Sequence, residues 1–344
     1  MKNIVIHCGM PKTGSSALQV QLAQARSNLL AHGYDYLPSG DFQQAEQGRI
    51  TSGNGAELAR SYLPEGHPAS LIKRREELTE QFRDHIAQSP AQTVILSSEF
   101  FSAAPRPLLG ELVENLSDLG AVRLVFFVRE QLNALASTYI QQVKRHMLTQ
   151  YPDEYFADWD DSRSPMMHYN AYFTRLRNMA PKAEILVRPY EETRLHDRGL
   201  VGLFFDLIGA EIPDADLPVD RRVNLSPNAQ EIRLMIEVNK HNPRMQFSDM
   251  LVEGSHAAGR STIHAQHSIV PEEVARKIRD SFAESNERFF QTFVGTENTY
   301  TNSWSAEDFI DLRQVSFSAT DVIDIIAGLL ANMDRRLARL EAQG

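Results

Sequence analysis

Short apolar runs alternate with longer helical patterns along much of the chain, and that alternation constrains the fold more than any other feature. The runs Ile4–Cys8, Thr93–Leu96, Val122–Val128 and Ile185–Val187 are aliphatic, β-branched or aromatic on successive positions. Continuous apolar runs of this length read as strands buried on both faces. Helical spacing covers Gly14 to about Leu30, with Leu18, Leu22 and Leu29 on the apolar side. It returns over Leu71–Ala87, Leu108–Leu116, Leu132–Met147, Leu200–Leu207, Ala229–Asn239, Glu272–Phe293 and Thr320–Leu340. Strands alternating with helices predict an α/β fold, with a central, mostly parallel sheet between two helical layers. The expected organisation is a single α/β domain over residues 1–344, whose C-terminal part, 229–344, is mainly helical. Ligands of such sheets bind beyond the carboxyl ends of the strands, so the residues after each run are the candidates for function.

After the first run comes Gly9-Met-Pro-Lys-Thr-Gly-Ser-Ser16. A strand, a glycine-flanked loop and a helix N-terminus form an anion cradle, because the first helical N–H groups lack intrahelical partners and point outward. The loop is close to the P-loop pattern G-x-x-x-x-G-K-[ST], and the expected fold is accordingly P-loop-like. Gly9 and Gly14 keep the spacing and Ser16 keeps the hydroxyl, but Ser15 fills the lysine slot and the cation stands earlier, at Lys12. Pro11 and Gly14 shape the turn, while Thr13, Ser15 and Ser16 offer hydroxyls. An ordinary helix cap needs fewer polar residues than this loop carries.

Charge and composition exclude several function classes. The net charge of −10 gives no global support for nucleic-acid binding, although a local basic pocket for a small anion remains compatible with it. Cys8 is the only cysteine, so an internal disulfide and a cysteine-rich metal site are both excluded; within the first run it reads as a buried, inert thiol. No signal-peptide pattern precedes the first strand, and no run reaches the ~18 apolar residues of a membrane span, so the expected compartment is the cytoplasm. Three stretches read as loops: Ser39–Gly66, the acidic Thr149–Pro165, and Asn242–Ser268 with His256, His264 and His267. The histidines show no clear metal spacing. The last helix carries Val322, Ile325, Ile326, Leu329, Leu330, Met333, Leu337 and Leu340 on helical spacing. It is expected to pack on the domain, and a homodimer contact is the alternative.

The third run ends in Val128-Arg129, and Ser137 follows eight residues later inside a helical pattern, where serine is a weak choice. An arginine fork and a serine hydroxyl so placed can converge on one phosphate; an arginine packed against a carboxylate is the other reading. The second run ends in Ser97-Ser98-Glu99, which sets Glu99 beyond the end of a strand. A helix cap or ion pair is the alternative role for that carboxylate. His7 lies inside the first strand, where a hydrogen-bonded core histidine is the simpler reading.

These residues resemble the sulfotransferases that use 3′-phosphoadenosine 5′-phosphosulfate (PAPS), and in particular a bacterial, carbohydrate-sulfotransferase-like branch of them. The similar segments are Met10-Pro-Lys-Thr-Gly-Ser-Ser-Ala-Leu-Gln19, Leu96-Ser-Ser-Glu99, Ser137-Thr-Tyr-Ile-Gln141 with Lys144, and Val187-Arg-Pro-Tyr-Glu191. The resemblance implies that Pro11, Lys12, Thr13, Gly14, Ser15, Ser16 and Ala17 hold the 5′-phosphosulfate. It implies that Arg129 and Ser137 hold the 3′-phosphate, which distinguishes PAPS from ATP. Lys12 would neutralise charge on the bridging oxygen of the leaving phosphate, Glu99 would be the base, and 3′,5′-ADP would be the product. The implied acceptor is a hydroxyl of a sugar, glycan or glycolipid, and no metal is required. Within Gly259-Arg260-Ser261, Arg260 would close over the nucleotide, as a late basic loop does in sulfotransferases. Gln141 and Lys144 could extend the face of Ser137 or form a solvated helix face; Arg188 and Tyr190 could serve the site or pack the strand end. The competing readings are a kinase-like phosphotransferase using ATP and magnesium, with Glu99 as a metal ligand, and a non-catalytic nucleotide-binding member of the fold. Against the kinase stand Ser15 in the lysine slot and Arg129 where an acidic residue would be expected.

Overall fold

In the computed structural model, residues 1–217, 227–257, 268–300 and 304–341 are described. The chain divides into two compact units: Met1–Glu130, Met166–Val223 and Glu284–Asn298 form the first, and Gln131–Pro165, Asn224–Ala283 and Thr299–Gly344 form the second.

The first unit is built on a five-stranded, all-parallel sheet. Its strands are β1 (Lys2–Cys8), β2 (Tyr34–Tyr36), β3 (Thr93–Ser98), β4 (Gly120–Val128) and β5 (Ala183–Pro189), in the order β2-β3-β1-β4-β5. β1 is central, with Ile4 aligned to Val94 on one side and Val122 on the other. Alternate β1 residues face opposite helical layers. Val5 joins Ile95, Val125, Phe127 and Tyr36 against Leu18 and Leu22 of the Ser15–Gln24 helix and Leu200, Val201 and Phe204 of the Gly199–Leu207 helix. On the other layer, Phe126 of β4 meets the rings of Tyr172 and Phe173, 6.2 and 5.1 Å between centroids, on the Tyr169–Met179 helix. The Arg75–Gln88 and Arg106–Leu116 helices bury Leu78, Phe82, Ile86, Leu109, Leu112 and Leu116. A fully buried aliphatic or aromatic side chain contributes about 1.5–3 kcal/mol, so a sheet covered on both faces is held chiefly by these layers. The expected α/β architecture is therefore the observed one.

Some elements depart from the sequence expectation. β2 is only three residues long, too short for a periodic signal, and its central Asp35 is buried in an ion pair with Arg26 at 2.9 Å and accepts from Ser89 Oγ at 2.6 Å. The helix expected from Gly14 to Leu30 breaks at Ala25 (φ −86°, ψ −1°) into Ser15–Gln24 and Arg26–Ala31. The helix expected to reach Phe293 ends at Phe289 and continues as a wider turn over Phe290–Val294.

The second unit packs helices Gln131–His146, Ala229–His241, Met245–Ala257 and Ala319–Glu341. Met245–Ala257 lies where a loop was expected; Gly254 and the small residues around it hide the pattern. Asn239 Nδ2 donates to the Val143 and Leu148 carbonyls at 2.9 and 3.1 Å, and Arg145 pairs with Asp249 at 2.7 Å. The acidic stretch forms a short helix, Pro152–Tyr155, whose Asp153 and Glu154 pair with Arg313. Among the described residues no helix is long and apolar enough to cross a membrane.

Candidate functional site

The central strand β1 delivers the loop to the carboxyl edge of the sheet. The Gly9 N–H donates to the Ser98 carbonyl at 3.1 Å, so the loop starts pinned to the end of β3. Thr13 is buried and folds its Oγ1 back onto the Met10 carbonyl at 2.8 Å. Lys12 is half-buried with φ +66°, and Gly14 has φ +77°. The left-handed conformation costs a non-glycine residue roughly 1–2 kcal/mol, and residues held there gather at functional sites. Here it turns the chain so that Ser15 opens the helix. Pro11 is exposed, and Ser16 and Ala17 are half-buried on the first turn.

Gly9 and Gly14 are glycines for reasons of space. A Cβ on Gly9 would sit 2.3 Å from Ser15 Oγ. One on Gly14 would sit 2.8 Å from Leu200 Cδ2 and 3.1 Å from the Tyr190 hydroxyl. The Ser15 hydroxyl, tucked under Gly9, is buried with no hydrogen-bond partner among the described residues. A buried donor without a partner is uncommon and costs about 1–3 kcal/mol.

Arg129 closes the loop from the other side. At the end of β4, its Nη1 donates to the Lys12 carbonyl at 3.1 Å, and its guanidinium lies 5.7 Å from the centre of the Tyr190 ring. Tyr169 Oη donates to the Arg129 carbonyl at 2.6 Å, and the next N–H, of Glu130, donates to Glu191 Oε1 at 3.1 Å. Burial pushes the Arg129 pKa below its ordinary value, partly offset by Glu191, yet arginine remains a cation. The loop is thus flanked by a desolvated positive charge and the positive end of a helix dipole. The Arg129–Lys12 bond joins residues 117 positions apart.

Glu99 follows β3 and is exposed; its Cα would be 3.3 Å from a Gly9 Cβ. It opens the short Phe100–Ala103 helix, but its carboxylate makes no capping bond and no ion pair with a described residue. Ser102 Oγ ties this turn to the loop by donating toward the Gly9 and Glu99 carbonyls, 2.8 and 2.9 Å away. His7 faces inward. Its Nδ1 shares a hydrogen bond with Ser97 Oγ at 2.8 Å, its Nε2 is buried without a partner among the described residues, and burial lowers its pKa to about 3. Its ring sits among Phe127 and Phe204 at 5.9 and 6.1 Å, so His7 is a core residue.

Beneath the loop lies a polar support that pattern reading passed over. Gln19 Nε2 donates to Ser97 Oγ at 3.2 Å, Ser97 N donates to Asn54 Oδ1 at 2.8 Å, and Gly55 N donates to the Ser97 carbonyl at 3.1 Å. A Cβ on Gly53 would lie 2.1 Å from that carbonyl. The signal was Gly53-Asn54-Gly55, an asparagine between two glycines inside a stretch read as loop.

Ser137, Gln141 and Lys144 lie on the Gln131–His146 helix of the second unit, with Ser137 half-buried and burial lowering the Lys144 pKa. Arg188 packs the strand end, donating to the Val294 carbonyl at 3.3 Å and lying 3.9 Å from Glu192. Arg260, His264 and His267 lie outside the described residues. Among the described residues no group of three or more His, Cys, Asp or Glu side chains is placed to hold a metal ion.

In comparisons with known proteins, no family model matches the chain, and no curated protein matches it. Among solved structures, it is similar to a sulfotransferase from Alicyclobacillus acidocaldarius, at 11% identity and a TM-score of 0.47, over 88% of this chain and 99% of that one.

Proposed function

We propose that the chain is a PAPS-dependent sulfotransferase that moves a sulfuryl group onto an acceptor hydroxyl of a sugar, glycan or glycolipid. The observation that carries this reading is the Arg129–Lys12 bond. It ties the two segments that carry the family resemblance into one cationic loop at the carboxyl edge of the sheet. The Ser15 hydroxyl, without a partner among the described residues, is a donor that an anion seated in the loop would satisfy, and the bare Gly9 and Gly14 let backbone N–H groups approach it.

Sulfuryl transfer, like phosphoryl transfer, is an in-line displacement through a loose transition state, so positioning and charge stabilisation dominate. When bound, PAPS supplies the activated sulfuryl group and a phosphate leaving group. Thr13 to Ala17 orient the 5′ end through N–H and hydroxyl donors, Pro11 shapes the turn against it, and Lys12 stabilises charge developing on the leaving oxygen. Arg129 spends one N–H on the Lys12 carbonyl and keeps others for the 3′-phosphate, to which the resemblance also assigns Ser137. Glu99, exposed beside the loop and engaged neither as a cap nor in an ion pair with a described residue, takes the acceptor proton. Arg260 is assigned to closure over the nucleotide on the resemblance alone.

The test is calorimetry with 3′,5′-ADP against 5′-AMP. The extra phosphate is expected to tighten binding by tenfold or more, since a charge-assisted hydrogen bond is worth about 1.5–3 kcal/mol. Arg129→Ala should erase the preference. Equal affinity for the two ligands overturns the reading, and magnesium-dependent ATP binding would turn it toward a phosphotransferase. A mass-spectrometric screen of acceptors with PAPS should show a gain of sulfate that Lys12→Ala abolishes.

A further inference from the structure

The Ala319–Glu341 helix has two apolar faces, and the fold uses one. Ile325 and Asn332 are buried, and Gly328 lies so close to Gly254 that a Cβ on it would sit 2.7 Å from the Gly254 carbonyl oxygen. The opposite face carries Ile323, Ile326, Leu330, Met333 and Leu337, all between 46% and 64% exposed. Their spacing is 3, 4, 3, 4. This is the heptad seam of a coiled coil, narrower than the broad apolar stripe of an ordinary surface helix. Scattered exposed apolar residues need no explanation, but an ordered row of five does.

Two features select the occupant. The helix carries Asp321, Asp324, Asp334 and Glu341 against Arg335, Arg336 and Arg339, so it has no positive excess to draw it to an anionic lipid surface. Arg336, which also pairs with Glu253 of its own chain at 3.1 Å, and Glu341 flank the seam five residues apart, a spacing that sets opposite charges of two parallel helices against each other. Two such faces, each removing a few hundred Å² from water, reach the roughly 1,000 Å² at which specific interfaces begin. We propose that a second copy of this chain packs in parallel against this face, helix beside helix.

Light scattering with size exclusion at tens of micromolar should give twice the 38.9 kDa chain mass. Leu330→Glu should return it to a single mass with an unchanged circular dichroism spectrum. If that variant loses helix, Leu330→Ala should still weaken self-association by tenfold or more. Ile323→Cys should oxidise to a covalent dimer, because parallel pairing brings the two residues face to face. A wild-type monomer, a Leu330→Glu dimer, an Ile323→Cys chain that does not cross-link, or a monomer captured by anionic vesicles would each overturn the proposal.

Discussion

Gly9 shows how little freedom single residues of the loop have. A methyl there would collide with the Ser15 hydroxyl at 2.3 Å, and the backbone on its other side is held by Ser98 and Ser102. Gly9→Ala is expected to push out the helix N-terminus and weaken 3′,5′-ADP binding tenfold or more in calorimetry, while far-ultraviolet circular dichroism stays unchanged. His7 carries a second prediction. In the folded chain it stays neutral down to about pH 3, whereas unfolded it takes a proton below about 6.5. The unfolded state therefore binds more protons between these values, and stability falls as pH drops through that window. His7→Gln should remove roughly 1.5 kcal/mol of the stability lost between pH 6.5 and pH 5, read as the difference between wild-type and variant urea midpoints. The wild-type curve matching the variant's slope would show that His7 titrates normally.

Elements were legible where their pattern is local and long. β1, β3 and β4 each place successive buried residues on both faces, and their apolar runs announced it. β2 was invisible because three residues make no period and its middle one is a charged side chain satisfied by distant partners. The Met245–Ala257 helix was hidden because its burial depends on a close crossing at Gly254 and Gly328, where small residues matter more than apolar ones. Gly254→Ala would set a Cβ 2.6 Å from the Gly328 carbonyl carbon. It should lower stability by about 1–3 kcal/mol in thermal or urea melts. Gly66→Ala, with nothing within 4 Å of the added carbon, should stay within about 0.5 kcal/mol.

At the scale of the whole molecule, neither compact unit is one continuous stretch of chain. The first unit takes its sheet from residues 2–189 but also needs residues 284–298. Phe289 and Phe290 from that segment are fully buried, and the Phe289 ring stacks on Phe173 at 5.7 Å. A chain ending at residue 228 would keep every strand and the loop, yet it would expose this aromatic cluster. It is expected to be insoluble or to lack a cooperative thermal transition, which expression and calorimetry would check. A soluble, cooperatively melting fragment would mean that the last segment is dispensable to the sheet.

The sequence by itself determined the parallel α/β layering, the helices of long period and the glycine-flanked loop after the first strand, because these follow from the order of neighbouring residues. Apolar continuity makes a buried strand, and two glycines set around Lys12 make a turn no bulky residue could replace. Tertiary structure alone decided that Arg129 would reach the Lys12 carbonyl, that Tyr190 would stand against Gly14, and that Asn54 would brace Ser97. Those contacts join residues tens of positions apart or more, and their partners are chosen by sheet order, which no local period encodes. The exposed row on the last helix belongs to both levels. Its spacing could be read from the residues, but only the packed fold shows which of the two apolar faces is left over.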